Sequence, residues 1–374
     1  MKSKTNELLK TSFAALLILA SSIVLSQESL LPCDEVEQEV LEDTALDEVA
    51  LVTSYQPAVA IKRAQPKYPT SAAKSGAEGW VQMSFVIDEA GKVQDPEVQD
   101  FGGDRAFKAA ALRAIKQWEY SPAIKDGKPT EQCQSLVRFN FMMGGKPGAS
   151  RKFFYNYKKA SKLVDEGNIE AAEVIVTKLH NRKENNRYEN AWLWSIDHKI
   201  ANKTNNKKRE IIALKRTIQS AVGHADEHRS FDDKYIAYLH YRLFLLLADK
   251  GSYAEALATS EKLAKLNNGT AIIEKLQPSI DKINNFLASD QNLFINKKID
   301  VDGQIFHRLA RNSFAFVDIK GKLDTVEVRC DTKREKYTVA EEHIWKLPAS
   351  WGKCILMIEG DSEAEFALVE VGQT

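Results

Sequence analysis

The sequence predicts an α+β multidomain protein, and three observations carry that reading. Between Arg63 and Met143 the apolar residues alternate at period two, switch to helical spacing, and return to period two. From residue 151 to 290 the spacing is helical throughout. From 294 to 374 it is two again, with glycines between the alternating runs. Segregated blocks of the two periods indicate separate layers and domains.

The first block is the most informative. Val81, Met83, Phe85 and Ile87 point one way and Gln82 and Ser84 the other, which describes a half-buried strand. Asp88-Glu89-Ala90-Gly91 is a turn, and Val93 to Val98 is the returning strand of a hairpin. Phe107, Ala110, Ala111, Ala114, Ile115 and Trp118 share one stripe of a helix, which Pro122 stops. Leu136, Phe139 and Phe141 supply a last strand. The expected order is short helix, strand, strand, helix, strand. The long helix must cover one sheet face, because a lone hairpin buries too little surface.

These residues resemble the C-terminal domain of the TonB family. The resemblance spans about eighty residues. It rests on the Arg63-Ala64-Gln65-Pro66-Lys67-Tyr68-Pro69 run, on Glu78-Gly79, on the Asp88…Gly91 turn and on Trp118-Glu119-Tyr120-Ser121-Pro122. It implies a TonB-like α/β domain that grips a short segment of a TonB-dependent outer-membrane transporter, the TonB box, as an added β-strand. It also implies an energy source in an inner-membrane motor of the ExbB/ExbD type. On that reading the pairing edge is the last strand, Leu136, Val137, Arg138, Phe139, Asn140, Phe141 and Met142, because a free edge offers unpaired N–H and C=O groups. The resemblance further places Gln65, with Arg63 and Tyr68, beside the bound segment. The plainer reading of Tyr68, Pro69, Trp118 and Tyr120 is that they define the fold.

The N-terminus reads as a targeting segment. Lys2, Lys4 and Lys10 precede an uncharged run from Phe13 to Leu25, and Val24-Leu25-Ser26 offers a cleavage site before Gln27. The run is short of the ~20 residues of a comfortable membrane span. A cleaved signal peptide and a periplasmic location in a Gram-negative envelope are expected, with a retained inner-membrane anchor as the alternative. Energy-transducing TonB proteins keep a membrane helix with a Ser and a His, followed by a long Pro-rich spacer. Here the apolar run has no His, and residues 27 to 62 form an acidic spacer nearly free of Pro, with Asp34, Glu35, Glu37, Glu39, Glu42, Asp43, Asp47 and Glu48. Fully extended, it reaches ~120 Å at most.

After the Gly144–Gly148 linker, helical patterns recur to residue 290. Two junctions echo each other, Asp165-Glu166-Gly167-Asn168-Ile169-Glu170-Ala171-Ala172 and Asp249-Lys250-Gly251-Ser252-Tyr253-Ala254-Glu255-Ala256. Gly permits a tight turn between antiparallel helices and Ala permits close packing. The block resembles tetratricopeptide-type pairs with a degenerate middle repeat. Such arrays stack into a surface that binds a protein partner; a helical bundle without a ligand is the alternative. The last block, 294 to 374, alternates along Phe314–Ile319, Thr325–Cys330, Cys354–Ile358 and Phe366–Val371, and reads as a small antiparallel β-domain, a sandwich.

Four cysteines suit an exported protein. Cys330 and Cys354 flank adjacent strands of one small domain and are expected to pair. Cys33 and Cys133 are then left, paired or free. Charge is balanced, with 52 basic and 52 acidic residues, and no long basic patch points to nucleic acid. Catalytic patterns are thin. His224-Ala225-Asp226-Glu227-His228 matches H-x-x-E-H but sits between helices, and Ser71-Ala72-Ala73-Lys74 matches S-x-x-K without its partner motifs. No glycine-rich phosphate loop is present. The expectation is a non-enzyme without cofactor or metal: a TonB-type link in energised uptake, or a periplasmic scaffold that uses the same fold only to dock protein partners.

Overall fold

The computed structural model describes residues 55–144, 148–221 and 230–372. The targeting segment, Cys33, the acidic stretch up to residue 54 and the His224–His228 run lie outside the described residues.

The first domain contains β1 (Tyr55–Gln56), β2 (Val59–Lys62), α1 (Thr70–Ser75), β3 (Gly79–Ile87), β4 (Val93–Gly102), α2 (Ala106–Ile115), β5 (Glu119–Ser121), β6 (Ala123–Lys125), β7 (Lys128–Thr130) and β8 (Gln132–Phe141). Its main sheet is antiparallel, in the order β4-β3-β8. The β3–β4 turn closes because the Asp88 carboxylate accepts the N–H of Ala90 at 3.0 Å and of Lys92 at 2.7 Å. Gly91 holds φ +76° there, and a Cβ would meet the Tyr120 carbonyl at 1.9 Å. Helix α2 presses Phe107, Ala110, Ala111 and Ala114 onto Val81, Met83, Phe85, Phe139 and Phe141. The helix ends three residues before Trp118. Gln117 and Trp118 donate to the carbonyls of Ala114 and Ile115 at 3.0 Å, a tightened last turn that frees Trp118 to lie between Phe85 and Phe139. Residues 55–62, grouped with the acidic spacer by composition, instead contribute β1 and β2, which pair with β6 and β5. These strands, two to four residues long, show no alternation from which they could be read.

Seven helices follow among the described residues: α3 (Arg151–Asp165), α4 (Ile169–His180), α5 (Arg187–Lys203), α6 (Lys207–Ala221), α7 (Asp233–Asp249), α8 (Tyr253–Ala264) and α9 (Thr270–Leu287). Ser150, Asn168, Asn186 and Asp232 cap the helices that follow them. The two echoing junctions make the same turn. Gly167 and Gly251 have φ +80° and +70°, and Asn168 and Ser252 each donate to a carbonyl five residues back at 2.9 Å. The middle pair turns identically with Asn205 at φ +52° and Asn206 donating to Ala201 at 2.8 Å. Asn tolerates the left-handed region, so the repeat is intact where its glycine is missing.

The C-terminal domain has β9 (Leu293–Lys298), β10 (Gln304–Arg308), β11 (Ser313–Lys320), β12 (Leu323–Arg329), β13 (Arg334–Thr338), β14 (Ile344–Lys346), β15 (Ile355–Gly360) and β16 (Glu365–Glu370). Two antiparallel four-stranded sheets, β10-β15-β12-β13 and β14-β11-β16-β9, enclose Phe314, Phe316, Val326, Val328, Leu356 and Phe366. This is a sandwich. Cys330 and Cys354 are bridged, and Cys133 is disulfide-bonded as well. The whole is an α+β multidomain fold. Among the described residues, no helix is long and apolar enough to cross a membrane.

The three blocks are docked. Arg311 donates to the Phe286 and Leu287 carbonyls at 2.6 and 3.1 Å, closing the C-terminus of α9 against the sandwich. Arg329 reaches the Ser84 hydroxyl at 3.5 Å and the Asp95 carbonyl at 3.4 Å. The face of the β4-β3-β8 sheet turned away from α2 is thereby covered, and Trp80, Ser84 and Val86 are buried although they alternate with the core residues.

Candidate strand-docking edge

In the first domain β3 is the central strand, so among the described residues β4 and β8 each present one edge without a strand partner. The two edges differ. The register of β4 slips twice against β3, leaving Gln99 unmatched, and the slipped stretch contains Pro96 and Asp95 at φ +41°. Bulges and proline are devices that blunt an edge. By contrast β8 pairs with β3 through seven consecutive residues, from Ser135 opposite Phe85 to Phe141 opposite Gly79, with no slip. Its free side is a straight row of main-chain groups.

The side chains of β8 divide by parity. Val137, Phe139 and Phe141 face the core under α2. Leu136, Arg138 and Asn140 lie on the other face. The sequence reading grouped Leu136 with Phe139 and Phe141; the observed alternation separates them, since five residues cannot change parity without a bulge and none interrupts this stretch. Asn140 and Met142 are exposed.

The Arg63–Pro69 run lies along the core side of this strand. Trp118 donates from Nε1 to the Ala64 carbonyl at 2.8 Å and packs 5.1 Å from Phe139, centroid to centroid. Tyr68 meets Phe141 and Phe107 edge-on at 5.9 and 5.7 Å and donates to the Ala77 carbonyl. Burial pushes its hydroxyl pKa up to about 12, with Glu78 adding to the effect. Tyr68 thus serves the core. Arg63 lies over the Trp118 and Tyr120 rings at 5.1 and 5.4 Å, and Gln65 is exposed. The run that carries Arg63 and Gln65 is thus joined to β8 through Trp118 and Tyr68.

On the outer face the strand is tied to the helical block. Arg138 stacks on Trp80 at 5.1 Å, donates to the Gln219 side-chain oxygen at 2.8 Å, and also donates to the Gln219 carbonyl. Burial, with the charge of Arg187 adding to it, lowers its pKa to about 10. Arg187 donates to the Met142 sulfur at 3.1 Å and the Ser220 carbonyl at 3.4 Å. These helical partners were not legible in the sequence, because they lie 45 to 81 residues away and repeat no pattern of the first domain.

Elsewhere the chemistry is sparse. Ser71 and Lys74 are exposed on α1. No group of three or more potential metal ligands occurs among the described residues. A cleft of about 1050 Å³ opens beside β4, between Asp100, Arg182, Arg216 and Asp302, but its charges are largely paired across domains, as in Arg216–Asp100 at 3.7 Å and Lys108–Asp302 at 3.3 Å.

A three-stranded antiparallel sheet backed by one helix, with a regular terminal edge flanked by an Arg-x-Gln-Pro-x-Tyr-Pro run, defines a small α/β domain. The family profile described as "Gram-negative bacterial TonB protein C-terminal" matches residues 64–143, and those residues are a TonB C-terminal domain. Similar proteins include Protein TonB of Vibrio cholerae, 39% identical over 74 residues, and Protein tonB2 of Pseudomonas aeruginosa, 31% identical over 71. These alignments cover 20% and 19% of this chain, and 30% and 26% of those proteins. The chain therefore spans under a third of the length of these relatives. Among solved structures, the tonB2 protein of Vibrio anguillarum is 34% identical, covering 30% of this chain and 100% of that one, with a TM-score of 0.21.

Proposed function

We propose that this chain is a periplasmic TonB-type protein that takes up an extended segment of a TonB-dependent outer-membrane transporter as a fourth strand on β8, in the service of energised transport. The observation that carries the reading is the contrast between the two edges: β8 is regular over seven pairs, while β4 is slipped and carries a proline. Strand addition draws its affinity from main-chain hydrogen bonds, and only a regular edge offers them in series. The packing of the Arg63–Pro69 run on β8 through Trp118 and Tyr68 supports it. An ExbB/ExbD-type inner-membrane motor is the partner this role requires for energy.

A second reading has its own support. The outer sheet face is sealed by two further modules through Arg138–Gln219 and Arg329–Ser84, which suits a scaffold that docks protein partners without transmitting force. The stacked helical pairs would then hold a second protein partner.

The test is titration of the isotopically labelled full chain with synthetic transporter box peptides, followed by amide shifts. Shifts concentrated in residues 135–142 and 63–68 support strand addition. Undiminished binding to a folded Asn140→Pro variant removes it, and the scaffold reading then stands alone.

A further inference from the structure

Helix α3 opens the helical array and packs on α4 and α5 through Phe153, Ala160 and Val164. Its opposite face is basic and aromatic together. Arg151, Lys152, Lys158, Lys159 and Lys162 are all exposed, and the helix carries one acidic residue, Asp165. Among these cations Phe154 and Tyr155 are 54% and 71% exposed. Residues three and four apart share one face of a helix. Arg151, Phe154, Tyr155, Lys158 and Lys162 are spaced in this way and form one ridge, with the Lys158 ammonium 5.5 Å from the centre of the Phe154 ring.

Three features of the ridge work against the fold. Arg151 and Lys152 stand in the first turn, where the helix dipole disfavours positive charge. Lys158 and Lys162 are a like-charged pair four residues apart, which destabilises a helix. Phe154 and Tyr155 leave large apolar surface in water. Among the described residues, only Lys162 of the five cations has a carboxylate at ion-pair distance, Glu166 at 3.6 Å. The outer face of α9 shows the ordinary arrangement: Glu274, Lys275, Asp281 and Lys282 alternate in sign, and no aromatic residue is exposed. A bilayer with anionic headgroups supplies what the α3 ridge lacks. Lysines are drawn to its negative surface, and aromatic rings between them enter the interface. The ridge belongs to a single helix and forms no groove, which suits a flat lipid surface better than a peptide.

We propose that the outer face of α3 is a membrane-surface contact, in which Lys158, Lys159 and Lys162 meet anionic lipid headgroups and Phe154 and Tyr155 enter the interface between them. This contact is independent of strand addition at β8, and it would hold the chain against a bilayer.

The test is co-sedimentation of the full chain with vesicles of phosphatidylcholine alone and of phosphatidylcholine mixed with phosphatidylglycerol. The mixed vesicles should bind the chain more tightly, and raising the salt concentration should reduce the difference. Each basic residue near such a surface contributes about fivefold, so a Lys158→Gln, Lys159→Gln, Lys162→Gln triple variant should bind the mixed vesicles roughly a hundredfold more weakly. A Phe154→Ser, Tyr155→Ser variant should also bind more weakly, by a factor that salt leaves unchanged. All five side chains are exposed, so urea unfolding of both variants should match that of the parent chain. Residues 1–26 are the same in every variant, so differences between variants report α3 alone. Equal binding of the parent and the triple variant to the mixed vesicles overturns the inference. So does a parent chain that ignores both kinds of vesicle; if it then binds poly-glutamate through the same lysines, the face belongs to an acidic protein instead.

Discussion

The side-chain Oε2 of Glu78 accepts the backbone N–H of Arg187 at 3.0 Å. Its other oxygen accepts the N–H of Met143 at 2.7 Å. One carboxylate thus joins the start of β3, the end of β8 and the first residue of α5. The N–H of Arg187 is one of the unsatisfied donors at a helix N-terminus, where negative charge is favoured. Glu78 belongs to the Glu-Gly pair that helped mark the TonB-like domain in the sequence, and here it also fastens that domain to the helical block.

Removing this link is expected to destabilise the chain. Glu78→Ala leaves two backbone donors without their charged acceptor, and a hydrogen bond to a charged group is worth about 1.5–3 kcal/mol. Glu78→Gln, which keeps one acceptor oxygen, should cost less. Urea unfolding of the full chain measures both. Equal stability of Glu78→Ala and the parent chain would show that water replaces the carboxylate at no cost.

A second expectation concerns the open edge itself. In a strand with one neighbour, every second N–H points away from the sheet. Amides of one parity between Ser135 and Phe141 should therefore exchange quickly in the free chain, and those of the other parity slowly. A bound peptide strand should protect the fast set. If all of these amides are already protected without peptide, the edge is covered and strand addition there is untenable.

Much of this architecture was legible in the sequence, for identifiable reasons. Val81, Met83, Phe85 and Ile87 alternate because one face of β3 lies under α2, and long helices such as α7 announce themselves through repeated apolar stripes. Trp80, Ser84 and Val86 misled, because their polar or mixed pattern suggests a wet face and the neighbouring domains bury it. Short strands such as β6 and β7 owe their existence to pairing partners and carry no period of their own. The middle helical pair read as a degenerate repeat because Asn205 does the work usually marked by Gly. Of the candidate site, the strand itself was legible from its apolar residues, whereas its use as a docking edge was an expectation from family resemblance. The Gln219 and Arg187 contacts were not legible, since they depend on how two domains dock.

The disulfide leads to a third expectation. Cys330 and Cys354 close a loop across 24 residues at the margin of the sandwich core, and both are buried. On the chain-entropy model such a bridge stabilises by roughly 3 kcal/mol. A Cys330→Ser, Cys354→Ser double variant should melt several degrees lower, with the loss confined to the C-terminal domain if the domains unfold separately. Non-reducing peptide mapping should recover the linked pair. Alkylation of both residues in protein prepared without reductant would contradict it.

The last expectation is a loss of stability in mild acid, driven by buried histidines. His198 is buried between α5, α6 and α7. Its Nε2 lies 3.5 Å from the Tyr235 hydroxyl and its Nδ1 is 3.9 Å from Glu210, but that carboxylate is already engaged by Arg242 at 2.7 and 3.0 Å. Burial lowers the His198 pKa from the ordinary 6.5 to about 4; Glu210 opposes the shift, and Lys199 and Arg242 reinforce it. His240, buried on α7, is lowered to about 4 by burial, with Lys262 adding to the effect. His180 and His307 are shifted in the same direction by burial, against the pull of Asp197 and Glu370. For each of these groups the folded pKa lies below the unfolded one. As pH falls the unfolded chain takes up protons first, so stability is complete above about pH 6.5 and declines toward about pH 4, by at most ~1.4 kcal/mol per pH unit for each histidine. The decline should begin before carboxylates protonate, which separates it from ordinary acid unfolding. Urea midpoints across this range measure the slope, and His240→Gln, which removes one titrating group whose Nδ1 has no partner, should make it shallower. An unfolding free energy that stays level from neutral pH down to about pH 5 would mean that these rings are charged in the folded state or reach water.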